Sequence, residues 1–145
     1  MTGFAFIVHE YFDEIAESYS MICVEESDSH VRYENDRATL GVGWDRTRSY
    51  ELGVRVKLKT PANNDLMSFD LWDILRFQDA PETSWVGALW VESEQNLREP
   101  MRELALLAKS YASRFLEGNL EAFASIAKFT GRSSSTGNYL GPHGV

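Results

Sequence analysis

The side chains in this sequence that most readily bind transition metals belong to three histidines and one cysteine. They are His9, Cys23, His30 and His143. Zinc sites use such residues, usually at short and recognisable spacings. No such spacing links these four, and His143 lies in a terminal segment with little to bury, so a metal site would have to draw on His9, His30 and Cys23. We therefore predict no bound metal and no cofactor.

His9 and Cys23 each have a structural interpretation. His9 is expected at the border between the apolar and polar sides of a helix. Cys23 alternates with Ile22 and Val24, so it is predicted to point away from their face as a small, partly buried residue. No basic residue stands beside it in the sequence to lower its thiol pKa.

Catalytic motifs are equally sparse. Carboxylate pairs such as Glu25 with Glu26, or Asp70 with Asp73, arise readily in an acidic chain. The "GVG" at 41–43 lies within a predicted strand, lacks the third glycine of a dinucleotide-binding loop and opens no helix. We predict no catalytic residues, and a non-enzymatic role is favoured.

The charge is distributed unevenly along the chain. The net charge is -8, and residues 1–36 carry nine acidic side chains against one base, Arg32. Residues 37–145 hold 13 acids and 13 bases, because the whole chain has 22 and 14. Such a surface repels nucleic acids and anionic lipids and speeds encounter with a basic protein partner. We expect a protein partner, no nucleic acid and no membrane.

Length and composition indicate a single domain. The chain has 145 residues and is 43% hydrophobic, and one domain usually takes roughly 100–200 residues. Its first apolar run follows no Lys or Arg, unlike a secretion signal, and no apolar run approaches the roughly 18 residues of a membrane span. We expect a cytoplasmic protein with a domain over residues 1–130 and a flexible tail over 131–145.

Hydrophobic periodicity predicts one helix and then antiparallel strands. Apolar residues at spacings of three and four indicate a helix from Thr2 or Gly3 to about Ser18. Period-two alternation follows and predicts a meander of four short strands. These strands lie around residues 22–24, 31–33, 40–44 and 50–58. Their turns are predicted at residues 27–29, 35–36 and 45–49.

The rest of the chain is predicted to be mainly helical. Ser68 is positioned to cap a short helix, and a long helix spans about 93–117, with Pro100 either starting it or kinking it. Gly118 would end that helix and Asn119 would cap the last one. Residues 84–92 fit a strand or a helix. The predicted fold is α+β: an N-terminal helix, a four-stranded antiparallel meander, then three helices packed on one face of the sheet.

Strand register places glycines on the sheet face opposite the helices. The predicted pairing sets Val31 opposite Leu40 and Gly41 opposite Gly53. The predicted binding residues on this face are His30, Arg32, Gly41, Gly53 and Arg55. Glycines in strands often mark a bulge or a strong twist, or they leave the backbone open so that a partner segment can lie on the sheet. Trp44 belongs by parity to the core face.

Three segments carry a resemblance to known proteins. They are "VRYENDRATLGVGWDRTRSYELGVRV", "SFDLWDILRFQDAPE" and "LLAKSYASRFLEGNLEAFASI". Their order after an amphipathic helix resembles a group of small, mostly uncharacterised bacterial proteins, some of which are immunity proteins of toxin systems. The resemblance covers roughly residues 4–127. It implies a bacterial source and a binding role, and no functional residue is carried over because no catalytic motif accompanies these segments.

Three functions are compatible with the sequence. The leading hypothesis is a non-enzymatic, acidic binding protein, such as an immunity-type inhibitor that occupies the active surface of a partner toxin. The alternative is a small enzyme or small-ligand binder, with a pocket between the sheet and the segment that carries Trp72, Trp85 and Trp90. A third is a self-associating structural protein, a homodimer in which the apolar stripe over 97–115 pairs between chains.

Overall fold

The structure is a computed structural model that describes residues 3–59, 67–81 and 89–131 of the 145-residue chain. An amino-terminal helix is followed by an antiparallel sheet and then by helices, which is the predicted α+β fold. The sheet has six strands in these ranges rather than the predicted four, because strands of three and two residues join its far edge. Alternation cannot reveal such short strands in a sequence.

Helix α1 spans Phe4–Ser18, as predicted, with Gly3 at its N-cap position. Its apolar side chains recur at spacings of three and four and pack against the sheet and a later helix. The buried residues are Phe4, Ile7, Val8, Phe12, Ile15 and Ala16. The acidic residues of α1 are exposed on its other side. This amphipathic division anchors α1 to one face of the sheet.

Four strands form the predicted meander. They are β1 (Ile22–Glu26), β2 (His30–Glu34), β3 (Ala38–Trp44) and β4 (Glu51–Leu58). β5 (Ser68–Asp70) pairs with the second half of β4, and β6 (Leu89–Trp90) pairs with its first residues. Alternate side chains of β2, β3 and β4 are buried beneath the helices. Trp44 is one of them, buried and stacked on Phe4 as the core assignment requires.

The register between β2 and β3 differs by two residues from the predicted one. Tyr33, not Val31, lies opposite Leu40. The reason is the turn, where the side-chain oxygen of Asn35 accepts hydrogen bonds from the backbone N–H groups of Arg37 and Ala38 at 2.8 and 2.9 Å. This side-chain turn makes Asn35 the first residue of the turn rather than its centre.

Asp45 has the same effect on the register between β3 and β4. Its carboxylate accepts from the backbone N–H groups of Thr47 and Arg48 and from the Ser49 hydroxyl. Desolvation acts to raise the pKa of Asp45, but these hydrogen bonds outweigh it and lower the pKa below its usual value. The turn therefore opens at Asp45, whose N–H donates to the Glu51 carbonyl at 2.9 Å. This register also differs by two residues from the predicted one.

The helix after β5 begins two residues later than predicted. α2 (Leu71–Phe77) is capped by Asp70, whose carboxylate accepts from the Asp73 backbone N–H at 3.0 Å. The Asp73 side chain in turn accepts from the Asp70 N–H, which completes a capping box. Ser68, the predicted cap, belongs to β5.

The predicted long helix over 93–117 is interrupted. A 3₁₀ turn over Glu94–Asn96 precedes α3 (Arg98–Tyr111), and one residue separates α3 from α4 (Ser113–Leu116). Pro100 lies in the first turn of α3, where its missing N–H costs no helical hydrogen bond. Of the two predicted roles of Pro100, starting the helix or kinking it, the structure therefore supports the first.

The boundary between α4 and α5 has the two residues predicted for it, a glycine that ends one helix and an asparagine that caps the next. Gly118 adopts a φ of 72°, and a Cβ atom there would lie 2.2 Å from the Cβ of Arg37, so only glycine fits. Asn119 then caps α5 (Leu120–Phe129), with its side-chain oxygen accepting from the Ala122 N–H at 2.9 Å.

The apolar stripe of α3 and α4 is part of the chain's own core. Its buried residues are Leu97, Met101, Leu104, Ala108 and Phe115. Because these side chains pack inside the domain, this stripe is not exposed for pairing between two chains. No helix within the described ranges combines the length and apolar character of a membrane span. Residues 84–88 and 132–145, where a strand or helix and a tail were predicted, lie outside the described residues.

Asn35 joins the sheet to the ends of two helices. Its side-chain NH₂ group donates to the Tyr19 carbonyl after α1 at 2.8 Å and to the Leu116 carbonyl of α4 at 3.1 Å. Its oxygen serves the turn at the same time, so both ends of the amide are occupied. One side chain therefore holds a hairpin, α1 and α4 in a fixed relation.

Replacing Asn35 by Asp should destabilise the protein by about 2–4 kcal/mol, because an ionised carboxylate would face two carbonyl oxygens that have lost their donor. Asn119→Asp is the matched control, since only the oxygen of Asn119 is used and a negative charge favours a helix N-terminus. Its stability should lie within about 0.5 kcal/mol of the wild type or above it. Urea unfolding at pH 7 measures both, and equal midpoints for the two variants would contradict the role of Asn35.

Candidate functional site

The sheet face opposite the helices carries all five residues that the sequence predicts for a binding surface. Adjacent strands place them in rows. One row is His30, Gly43 and Gly53, the next is Arg32, Gly41 and Arg55, and the third is Glu34, Thr39 and Lys57. The rows run across β2, β3 and β4, so the glycines lie in the middle of the face.

The predicted glycine pair is wrong in one member. Gly41 lies opposite Arg55, and it is Gly43 that lies opposite Gly53. The two-residue shift set by Asp45 is the cause. Because side chains alternate with a period of two, this shift keeps every residue on its predicted face but changes its neighbours.

The imidazole of His30 explains two of the three glycines. It lies over β3, where a Cβ atom on Gly41 would be 3.3 Å from Nε2 and one on Gly43 would be 3.5 Å from Cδ2 of the ring. A Cβ on Gly53 would meet no atom within 4 Å in the described structure. The glycines of β3 therefore accommodate His30, whereas Gly53 leaves open space.

Two guanidinium groups flank Gly41. Arg32 lies 3.5 Å from a carboxylate oxygen of Glu25, and its Nε atom is buried without a hydrogen-bond partner in the described structure. Arg55 donates to the Ser68 hydroxyl at 3.1 Å. With the His30 ring between them, the two arginines form a group of nitrogen donors that suits a carboxylate or another anion.

A cavity of about 1090 Å³ is lined by residues from each of these rows. It runs along β3 from Thr39 to Asp45, which corresponds to roughly 20 Å at about 3.3 Å per residue. Its other end is apolar and is lined by Leu71, Trp72, Leu75, Leu104 and Leu107. We call this cavity the glycine groove, after the three glycines in its floor, Gly41, Gly43 and Gly53.

The groove is lined by residues from both faces of β4. Gly53 belongs to the polar face and Val54 is buried on the helix face, and both line the cavity. Within residues 3–59, 67–81 and 89–131, β5 pairs with Arg55–Lys57 and β6 pairs with Glu51–Leu52.

The polar groups of the groove are suited to binding. Arg32, Arg55 and Lys57 line the same cavity as Asp70 of β5 and Asp73 of α2. Arg55 lies opposite Asp70 in the sheet, and Arg76 forms an ion pair of 2.8 Å with Asp73. The His30 ring lies 3.8 Å from a Glu25 carboxylate oxygen. Within the described ranges its ring nitrogens bond to no hydroxyl or thiol, the pairing that an activated nucleophile requires.

Sequence reasoning missed the contribution of β5 and α2 to this surface. Ser68, Asp70 and Trp72 line the groove together with the meander residues. A strand of three residues that runs directly into a helix gives no alternation signal. The sequence predicts a pocket beside Trp72 but does not connect that pocket with Arg55.

Comparison of the chain with protein-family models, curated proteins and solved structures finds no match.

The contact between His30 and Gly41 can be tested by a double-mutant cycle. Gly53→Ala should be neutral or stabilising by up to about 1 kcal/mol, because a Cβ there meets open space and the substitution restricts the unfolded chain. Gly41→Ala should be less stable than Gly53→Ala by about 1 kcal/mol, and His30→Ala should abolish that difference. Denaturant unfolding of the singles and doubles measures the coupling, and a zero coupling between positions 30 and 41 would contradict this packing.

Proposed function

We propose that this chain is a non-enzymatic protein-binding module that holds an extended segment of a partner protein in the glycine groove. The observation that carries the proposal is the shape of the groove. It follows β3 for roughly 20 Å, which matches about six residues of extended chain. The His30 ring lies over the glycines of β3, but at Gly53 a Cβ atom would meet no described atom within 4 Å, so a partner backbone can approach the sheet closely there.

The charges of the groove indicate the charge of the side chain that the partner segment places in it. Arg32 and Arg55 stand on either side of Gly41, and the buried Nε of Arg32 has no partner among the described residues. An Asp or Glu side chain of the partner placed beside the His30 ring, between Arg32 and Arg55, would accept hydrogen bonds from both guanidinium groups. Arginines in such positions are frequent energetic centres of interfaces.

The acidic first quarter of the chain is partly neutralised by bases from later segments. Arg98 pairs with Glu10, and Lys59 lies 3.2 Å from a Glu34 carboxylate oxygen. The protein nevertheless keeps a net charge of -8, which favours encounter with a partner of net positive charge. The partner we propose is therefore basic overall and presents one acidic side chain in the segment that binds.

The resemblance to immunity proteins of bacterial toxin systems supports a toxin as that partner. An inhibitor of this kind needs affinity and register rather than a catalytic group, and a groove with an anion position in its middle supplies both. Inhibition then follows because the captured segment belongs to the active surface of the toxin.

A small-ligand binder is the second candidate, favoured by the apolar end of the groove. Leu71, Trp72 and Leu104 lie in the same cavity as Arg55. This combination suits a small molecule with an anionic group and an apolar part, although most such pockets are smaller, at about 300–1000 Å³.

Selection of random peptides displayed on phage against the immobilised protein tests the main proposal. We expect enrichment of peptides with a single Asp or Glu in an otherwise uncharged or basic extended sequence. The double variant R32A/R55A and the groove-filling Gly53→Leu should bind the selected peptides at least about tenfold more weakly, the loss expected when an interface anchor is removed.

Arg102→Ala is the matched control, because Arg102 is exposed on α3 and pairs only with Glu99 within the described ranges. It should bind as the wild type does, and circular dichroism checks that every variant is folded. No enriched sequence on the wild type, or equal enrichment on R32A/R55A and Gly53→Leu, would overturn the proposal. Growth rescue from a toxin encoded beside this gene, lost in the same variants, would identify the partner.

A further inference from the structure

A second group of reactive side chains lies on the helix side of the sheet, away from the glycine groove. It forms where α1 crosses β1 and β2. Its members are His9, Asp13, Cys23, Glu26 and Tyr33. The ligand atoms of three of them, His9, Cys23 and Glu26, all lie within 4.8 Å of one another.

A β-bulge brings two of these residues to the same face. Cys23 pairs with Tyr33 and Glu26 pairs with Val31, and the register shifts between Cys23 and Glu25. In a regular strand, residues three apart point to opposite faces. The extra residue, Val24, changes that parity, so that Cys23 and Glu26 both point towards His9. Bulges frequently redirect side chains in this way beside functional sites.

Both ring nitrogens of His9 face carboxylates. Nδ1 lies 2.7 Å from Oδ1 of Asp13, and Nε2 lies 2.5 Å from Oε1 of Glu26. A neutral imidazole carries a single N–H, and ionised carboxylates only accept hydrogen bonds. One of the two contacts therefore needs an additional cation, either a second proton, on the ring or on a carboxyl group, or a metal ion.

The contact with Asp13 fixes the ring for metal binding. Tyr33 donates its hydroxyl hydrogen to the same Asp13 oxygen at 2.7 Å, which holds the carboxylate in place. Metal-bound histidines usually donate their second ring N–H to such a carboxylate, which sets the tautomer and the ring orientation. Here that arrangement leaves the Nε2 lone pair of His9 directed at Cys23 and Glu26.

We propose that His9 Nε2, Cys23 Sγ and a carboxylate oxygen of Glu26 bind one zinc ion. Zinc takes nitrogen, sulfur and oxygen ligands at about 2.0–2.3 Å in a tetrahedron, which sets the ligand atoms roughly 3.3–3.8 Å apart. Cys23 and Glu26 are exposed, so small rotations of their side chains reach these separations. The mixed donor set favours zinc over magnesium and calcium, which prefer oxygen.

The surroundings of Cys23 are negative. Burial raises the pKa of its thiol, and the charges of Glu26 and Asp13 raise it further. The same carboxylates attract a cation, and a bound zinc ion displaces the thiol proton. The proposal departs from the expectation of no metal, which rested on the spacing of His and Cys residues and could not include a bulge.

Titration of the full, untagged chain with Co²⁺ in the presence of a reductant tests the proposal. Cys23 is the single cysteine of the sequence, so a thiolate-to-cobalt charge-transfer band reports on this residue alone. We expect the band to saturate at one Co²⁺ per chain and to disappear when Zn²⁺ is added, since Zn²⁺ binds such sites more tightly than Co²⁺. A large excess of Mg²⁺ should leave it unchanged.

Adjacent glutamates provide a matched pair of variants. Glu26→Gln removes a proposed ligand and should weaken cobalt binding at least about tenfold, and Asp13→Asn should weaken it by about 10–100-fold through the lost orientation of His9. Glu25→Gln, which changes a carboxylate on the opposite face, should leave the affinity within about twofold of wild type. No band at saturating Co²⁺, an undiminished affinity in Glu26→Gln, or one Co²⁺ per two chains would overturn the proposal.

Discussion

The register of the sheet depends on two side-chain oxygens that begin its hairpin turns. Asn35 accepts from the backbone between β2 and β3, and Asp45 does so between β3 and β4. Each of these residues is the first residue of its turn. The position of the turn then determines which residues pair across the two strands. The row that joins Arg32, Gly41 and Arg55 exists because of these two turns. Asn35 also holds the ends of α1 and α4, so the helix layer depends on the same turn.

The sequence predicts which face of the sheet a residue lies on better than it predicts which residue lies opposite it on the next strand. Periodicity correctly indicates α1, the four main strands and the buried side of β2, β3 and β4, because burial repeats along the chain. In β1, the alternating Ile22 and Val24 are exposed. Register depends on which side chain closes a turn, and two adjacent polar residues such as Asn35 and Asp36 are both good candidates. At the turn after β3, which begins at Asp45, the same kind of error kept the candidate site on one face but predicted Gly41 rather than Gly43 opposite Gly53.

Other departures from prediction come from features that leave no repeating pattern of hydrophobic residues in the sequence. β5 has three residues and runs directly into α2, and the break between α3 and α4 leaves the apolar stripe intact on both sides. The bulge at Val24 is the most consequential case. Alternation assigns Cys23 and Glu26 to opposite faces, and only the pairing of β1 with β2 shows that they share one. A cluster that depends on a bulge is therefore invisible to spacing rules.

β1 links the two surfaces of the sheet. All five of its residues are exposed, so burial of apolar side chains cannot fix its position on β2. Its polar contacts do so on both faces: Glu25 reaches Arg32 beside the glycine groove, and Glu26 reaches His9 on α1. Exposed ion pairs are individually weak, yet here they act on a strand at the edge of the sheet that has few other restraints. The bulge at Val24 directs these consecutive carboxylates to opposite faces, and it thereby determines both the surroundings of Arg32 and the assembly of the cluster around His9.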